Sequence, residues 1–187
     1  MRIEFRKFFL ISLALLFASA PFAQARAASD ESDVRAVVRE VFQSLKNGDY
    51  DSLYDRLPSA SQSRVTRERF VSSLQRTRDR YELDRIEIGA VRVSGNLAVV
   101  DTVMYGRILQ PEESEGKIVA QQYLVREQGT WRVATGERST VQRLLNENPN
   151  FARKFPIRQP RVFVKRDGRW VDITALANQM RRNARQQ

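Results

Sequence analysis

Residues 123–133 read YLVREQGTWRV, and residues 162–173 read VFVKRDGRWVDI. Each phrase is an apolar run, a cation, a turn containing Gly, then Trp and a second apolar run. The chain holds two Trp, one in each phrase. A polar residue followed by Gly between alternating apolar residues signals a hairpin, because two-residue hairpin turns need positive φ at their centre. Counting outward from Gln128-Gly129 sets Arg126 opposite Trp131 and Leu124 opposite Val133. Counting from Asp167-Gly168 sets Lys165 opposite Trp170, Val164 opposite Val171 and Val162 opposite Ile173. Strand side chains alternate faces, so Val162, Val164, Val171 and Ile173 are predicted to share the inward face, with Phe163, Lys165, Trp170 and Asp172 on the other. A cation facing Trp at an exposed site contributes about 0.5–1 kcal/mol. The duplication is too short for a solenoid or propeller unit. It reads as one stable hairpin reached twice, and the alternative is a Trp-bearing binding edge. The first hairpin is expected in the main sheet, its Leu124, Val133 and Trp131 tied to the core. The second follows three Pro and is expected to be an added arm, with Phe163, Lys165 and Trp170 as its partner-surface candidates.

Working outward, residues 81–127 are strand-like. Ile86 and Ile88 share one parity and Val91 and Val93 the other, which predicts a β-bulge at Gly89-Ala90. Ser94-Gly95-Asn96 turns the chain, LAVVDTVMYGRIL (97–109) is a long strand, and PEESEG (111–116) is a polar acidic loop before KIVAQQYLVRE (117–127).

The N-terminal part is helical. Val34, Val37, Val38, Val41, Phe42 and Leu45 form one apolar stripe at spacings of three and four. Ser32 or Asp33 is expected to cap it, and Asn47-Gly48 to end it. A short helix from Tyr50 to Leu57, with Leu53, Tyr54 and Leu57 inward, stops at Pro58; SASQS (59–63) is a polar connection. Thr66 caps a third helix whose Phe70, Leu74 and Tyr81 face inward. Beyond the sheet, Ser139 with Gln142 makes a capping box for the short helix TVQRLLNEN (140–148), Pro149, Pro156 and Pro160 mark an irregular stretch, and Thr174 caps a last helix bearing Leu176 and Met180. Arg181, Arg182 and Arg185 lie near its C-terminal end, where the helix dipole favours cations.

The start, MRIEFRKFFLISLALLFASAPFAQARAAS (1–29), has the layout of a secretory leader: Arg2, Arg6 and Lys7, an apolar run from Phe8 to Ala20, then Ala-x-Ala sites. The run is shorter than the roughly 20 residues of a spanning helix. We therefore expect a signal peptide over residues 1–25 and a periplasmic or secreted protein. The chain has no Cys, which removes lipid attachment through Cys, disulfides and a thiolate nucleophile. Its formal net charge is +10, and the cations are mixed with Asp and Glu rather than massed. With export, that balance argues against nucleic acid and leaves an Arg-rich solvated surface, or an envelope protein touching anionic lipid or polymer.

The chemistry available is narrow. With no His and no Cys, the commonest general base, the Ser-His-Asp triad and ordinary zinc sites are excluded. The eight Gly are scattered, so there is no phosphate loop and no cofactor is implied. Glu112, Glu113 and Glu115 lack the spacing of a calcium loop, and no metal is expected. Asp101 shares parity with Leu97, Val99, Val103 and Tyr105. A carboxylate among apolar neighbours has a raised pKa and can serve as a base, with Tyr105 as donor; the alternative is that it pairs with an Arg on the next strand. Tyr54, Tyr81 and Tyr123 read as core aromatics or, with Trp131, as ligand-binding side chains.

Residues 38–71, VREVFQSLKNGDYDSLYDRLPSASQSRVTRERFV, the alternating strands and the Gly129-Thr130-Trp131 hairpin resemble the nuclear transport factor 2-like superfamily, the cystatin-like cone that includes SnoaL-like and ketosteroid isomerase-like proteins. The helical start is also similar to the accessory domain preceding some penicillin-binding transpeptidases. The resemblance covers roughly residues 33–137 and implies an α+β fold: three N-terminal helices packed in a curled antiparallel sheet, with residues 138–187 adding a short helix, a β-hairpin and a basic helix. It implies a pocket at the open end of the cone. Some members are enzymes that use an Asp base, and many only bind. The expectation is an exported binding protein, holding an unknown small molecule in the cone or an envelope protein on the sheet face, with a homodimer as one assembly. The alternative is a small isomerase- or cyclase-type enzyme using Asp101.

Overall fold

A computed structural model describes residues 20–110, 113–134 and 138–183, with the backbone path alone described for 20–28, 138 and 180–183. Both doubled phrases fold as two-residue hairpins. Gln128 and Asp167 hold φ of 49° and 50°, followed by Gly129 and Gly168 at 80° and 75°, the paired left-handed turn that matches strand twist.

The elements run α1 (Ala20–Asn47), α2 (Tyr50–Asp55), α3 (Ser59–Gln62), α4 (Arg67–Gln75), a 3-10 turn (Arg78–Arg80), β1 (Tyr81–Ser94), β2 (Leu97–Ile108), β3 (Ser114–Glu127), β4 (Thr130–Val133), α5 (Arg138–Glu147), α6 (Pro149–Lys154), β5 (Arg161–Arg166), β6 (Arg169–Asp172) and α7 (Thr174–Asn183). The fold is α+β. Its antiparallel, six-stranded sheet has the order β1-β2-β3-β5-β6, with β4 also on β3. β3 is fourteen residues long and β4 only four. The outer edge of β3 is therefore divided: Leu124–Glu127 pair with β4, and Gly116–Val119 pair with β5. The second hairpin, expected as an added arm, is hydrogen-bonded into the same sheet through β5. It completes edge hydrogen bonds that β4 is too short to reach.

Parity along β2 separates two cores. Ala98 and Val100 face α1 and pack with Val34, Val37, Val38, Val91, Leu124, Trp131 and Val133. Leu97 and Val99 face the other way and pack with Tyr123, Ala134, Leu145 and Phe151, under α5 and α6. At this end the sheet lies between two helical layers, and Val34 of α1 and Val99, Val100 and Leu124 of the sheet are fully buried. Arg126 faces Trp131 as the register predicts, its guanidinium 4.4 Å from the ring centroid. Its Nη2 is also ion-paired with Asp30 of α1, the two side chains only 15% and 16% exposed.

Several boundaries differ from the expectations. α1 starts at Ala20 rather than at a cap near Ser32 or Asp33. The Ala-rich residues 23–28 favour helix, and Pro21 falls in the first turn, where it is tolerated. The leader expected over residues 1–25 lies outside the described residues as far as residue 19. SASQS is not a plain connection but contains α3, started by Pro58. α4 begins at the predicted cap, with Thr66 Oγ1 accepting from the Arg69 N–H at 3.4 Å. None of its residues is fully buried, so Phe70 and Leu74 are only half inward, and Tyr81 opens β1 instead of closing that helix. The irregular stretch after Pro149 starts with the helix α6, because Pro at the first position presets φ. Ser139 lies inside α5, one residue past its start. Thr174 is likewise the first residue of α7, not its cap; the Thr174 N–H donates to Asp172 Oδ1 at 2.9 Å, and Thr174 Oγ1 accepts from the Val162 N–H at 3.0 Å.

β1 carries the bulge predicted at Gly89-Ala90, between Ile88 and Val91, and a second between Leu83 and Arg85. At the second, Gly106 of β2 lies so close to β1 that an added Cβ would stand 2.3 Å from the Glu82 carbonyl oxygen.

Candidate functional site: the open half of the sheet

α5 and α6 cover Leu97, Val99 and Tyr123 on the face away from α1. Beyond that cover the same face continues across β1, β2, β3, β5 and β6. The register aligns its side chains in rows, since residues directly opposite share a face. One row is Arg85, Tyr105, Lys117, Phe163 and Asp172. Toward the covered end lies Glu87, Val103, Val119 and Arg161. On the far side Glu82, Arg107 and Glu115 are aligned, with Lys165 facing Trp170. Val119 and Trp170 are each 37% exposed.

The aromatic rings are tied to cations along the row. Arg85 lies 3.7 Å from the Tyr105 centroid. Lys117 Nζ lies 4.4 Å from that of Trp170 and 5.2 Å from that of Phe163, and Arg161 lies 4.9 Å from that of Phe163. Tyr105 and Trp170 meet edge to face at 6.3 Å. Most cations here also hold a carboxylate: Arg85 with Glu87 at 3.4 Å, Arg161 with Asp172 at 2.8 Å, Lys165 with Glu115 at 2.9 Å, and Arg107 with Glu82 and Glu113. Lys117 has no ion-pair partner among the described residues.

The partner-surface candidates Phe163, Lys165 and Trp170 are brought to this face, with one change. Lys165 faces Trp170 in register, but its ammonium turns to Glu115, because a full charge attracts it more than a ring quadrupole. Lys117, one strand further in, occupies the place over Trp170. The expected inward set also divides: Val164 is buried, Val162 and Ile173 are half-buried, and Val171 is 39% exposed on the edge strand. Lys117, Arg85 and Arg161 carry no local signal in the sequence. They join the site only when the register of β5 on β3 is fixed.

Asp101 lies on this face, two residues along β2 from the covered Val99 and opposite Gln121. Its carboxylate accepts from Arg92 at 2.8 Å and from Gln121 at 3.3 Å. The Arg92 hydrogen bond lowers its pKa despite desolvation, helped by Gln121 and the charges of Arg92 and Arg158. The raised pKa of a buried base is therefore not what this carboxylate has, and the paired alternative describes it. Tyr105 is not its donor. That hydroxyl bonds Glu87 at 3.1 Å, and desolvation first, then the Glu87 bond, raises the phenol pKa.

The ligand-binding candidates do not converge. Tyr123 packs under α5 and α6, and Trp131 lies on the opposite face against α1. The Tyr123 hydroxyl is within reach of Gln121 Oε1 at 3.1 Å and the Phe155 carbonyl at 3.4 Å, and burial pushes its pKa up. The Tyr54 hydroxyl reaches the Gln62 and Val65 carbonyls at 3.2 and 3.1 Å, holding α3 against α2. Tyr81 is half-buried opposite Ile108. Two cavities lie elsewhere. One, of about 300 Å³, is lined by Ser94, Leu97, Glu147 and Asn148–Phe151. The other, of about 140 Å³, lies between Pro58, Val125, Ala134 and Leu144. Glu112 falls outside the described residues, and Glu113 and Glu115 are engaged by Arg107 and Lys165. Among the described residues no helix is long and apolar enough to cross a membrane.

No family model matches the chain, and no curated protein matches it. Among solved structures, the solution structure of a SEC-C motif-containing protein from Rhodopseudomonas palustris is similar over 55% of this chain and 75% of that chain, at 12% identity and a TM-score of 0.45.

Proposed function

We propose that the chain is an exported, non-catalytic binding protein of the nuclear transport factor 2-like type, and that it takes a protein partner on the open half of its sheet. The observation that carries this reading is the cross-strand row of Tyr105, Lys117 and Phe163, with Trp170 beside it. Protein interfaces are enriched in aromatic residues and Arg at their core and polar at their rim, and Trp, Tyr and Arg dominate their energetics. Here the rings and the exposed Val119 are framed by Arg85, Arg107, Arg161 and Lys165. The cone reading is supported by α1, whose Val34, Val37 and Val38 pack on one face of the sheet. Export is supported by the leader-like residues 1–25. The cavities of about 300 and 140 Å³ are at or below the small end of ligand sites, which favours the sheet face over a small molecule. The Arg92–Asp101 pair disfavours Asp101 as a base.

A photo-crosslinking residue at Val119, in cells that make the protein, tests this. The expected result is a discrete partner adduct at position 119 and none from the exposed α1 position 39. No adduct at 119, or the same adducts at both, would overturn the reading.

A further inference from the structure

We infer that the partner presents a carboxylate flanked by apolar side chains, and that Lys117 receives it. This rests on the docking surface just proposed and names its chemistry. Arg85, Arg107, Arg161 and Lys165 each hold a carboxylate of this chain. Lys117 lies on β3 between Tyr105 and Phe163 and is held over Phe163 and Trp170, with no carboxylate partner among the described residues. An ammonium has three donors and is strongly hydrated. Two ring faces satisfy it on one side and leave donors for a group arriving from solvent. Val119 lies two residues along the strand on the same face, and Val103 opposite Val119, so apolar surface adjoins the cation directly. A partner that covers the patch removes water from Lys117, and that cost is offset only if the partner supplies an anion.

Other occupants fit less well. A second copy of this chain brings another strongly basic molecule, formal net charge +10, with its own carboxylates on this face already paired. An anionic lipid surface is attracted by a field of free cations, whereas the cations around Lys117 are neutralised locally.

The test is selection from a displayed library of random peptides on the mature protein, repeated with Lys117→Gln, Lys117→Glu and the control Arg39→Gln on the exposed face of α1, each first shown to melt like the parent. The expected enriched peptides carry Asp or Glu beside apolar residues. One such peptide, synthesised, should bind Lys117→Gln about thirtyfold more weakly or worse, in line with losing one partner of a buried charge pair, and Arg39→Gln within about twofold. Lys117→Glu should switch the selection toward Lys or Arg. No enrichment, enrichment without acidic preference, or an unchanged preference on Lys117→Glu would overturn the inference. So would self-association of the parent that Lys117→Gln abolishes, or Lys117-dependent binding to anionic phospholipid vesicles in place of peptides. A crosslinked partner at Val119 together with an unchanged charge preference would leave the docking surface standing and remove only the role of Lys117.

Discussion

Trp131 and Trp170 close the same phrase and carry different loads. Trp131 is 3% exposed in the core against α1, and Trp170 is 37% exposed on the edge strand. Trp131→Ala is expected to cost about 3–5 kcal/mol, a large part of the roughly 5–15 kcal/mol that holds an ordinary domain. Trp170→Ala loses an edge-to-face contact with Tyr105 and a cation, and is expected to cost about 1 kcal/mol. Urea melts of the two variants side by side check the division, and equal losses would refute it. Asp101→Asn is expected to stay within about 1 kcal/mol of the parent, since its ion pair with Arg92 is 32% exposed on both sides and keeps contact with solvent, and to leave partner binding unchanged. A binding loss without a stability loss would give Asp101 a role that its pairing with Arg92 does not.

At the scale of elements, turns and bulges were legible because their signals are local. Gln128-Gly129 and Asp167-Gly168 announce two-residue turns, the parity change between Ile88 and Val91 announces a bulge, and Thr66 announces a helix start. The second bulge was missed because its only trace is Gly106, whose need for close approach shows once β1 and β2 are paired. Gly106→Ala is expected to cost several kcal/mol, since the new Cβ meets backbone rather than a movable side chain; a thermal melt within a few degrees of the parent would contradict the tight approach. Gln128 sits at φ 49°, where Asn is more at ease. Gln128→Asn is expected to raise the melting temperature slightly, and a fall would count against the left-handed turn. The junction of β6 and α7 is expected to respond to pH. Hydrogen bonds from Thr174, side chain then backbone, and from Arg161 lower the Asp172 pKa to about 2, against about 3.9 for a free Asp. A depressed folded pKa gives stability that is complete above the unfolded value and lost as pH falls through the folded one. The stability gap between the parent and Asp172→Asn should therefore shrink from pH 5 to pH 2 in urea melts. A constant gap would show that Asp172 acts through shape alone.

For the whole molecule, the α+β class and the antiparallel sheet follow from patterns that any one segment displays: the apolar stripe Val34–Leu45, the alternating strands and the Gly turns. The row of Arg85, Tyr105, Lys117, Phe163 and Asp172 was not legible, because it exists only when segments far apart in the chain are set in register. The same physics hid the length of α1, whose Ala-rich start reads equally well as a processing site.

The divided edge of β3 also sets an order of events during synthesis. β4 follows β3 at once and can zip to Leu124–Glu127 as a local hairpin, but Gly116–Val119 wait for β5, beyond α5 and α6. Non-local pairings form late, and an unpaired strand edge is adhesive while it waits. Ile118 and Val119 lie on that waiting segment and keep 36% and 37% exposure even in the finished fold. A nascent chain released at residue 137 would display an open, apolar strand edge with its natural complement missing. Such a fragment is expected to elute as soluble oligomers or to precipitate, while the chain through residue 183 stays monodisperse at the same concentration. Monodispersity of both would mean that α1–β4 close their own edge and that β5 arrives at a strand already content without it.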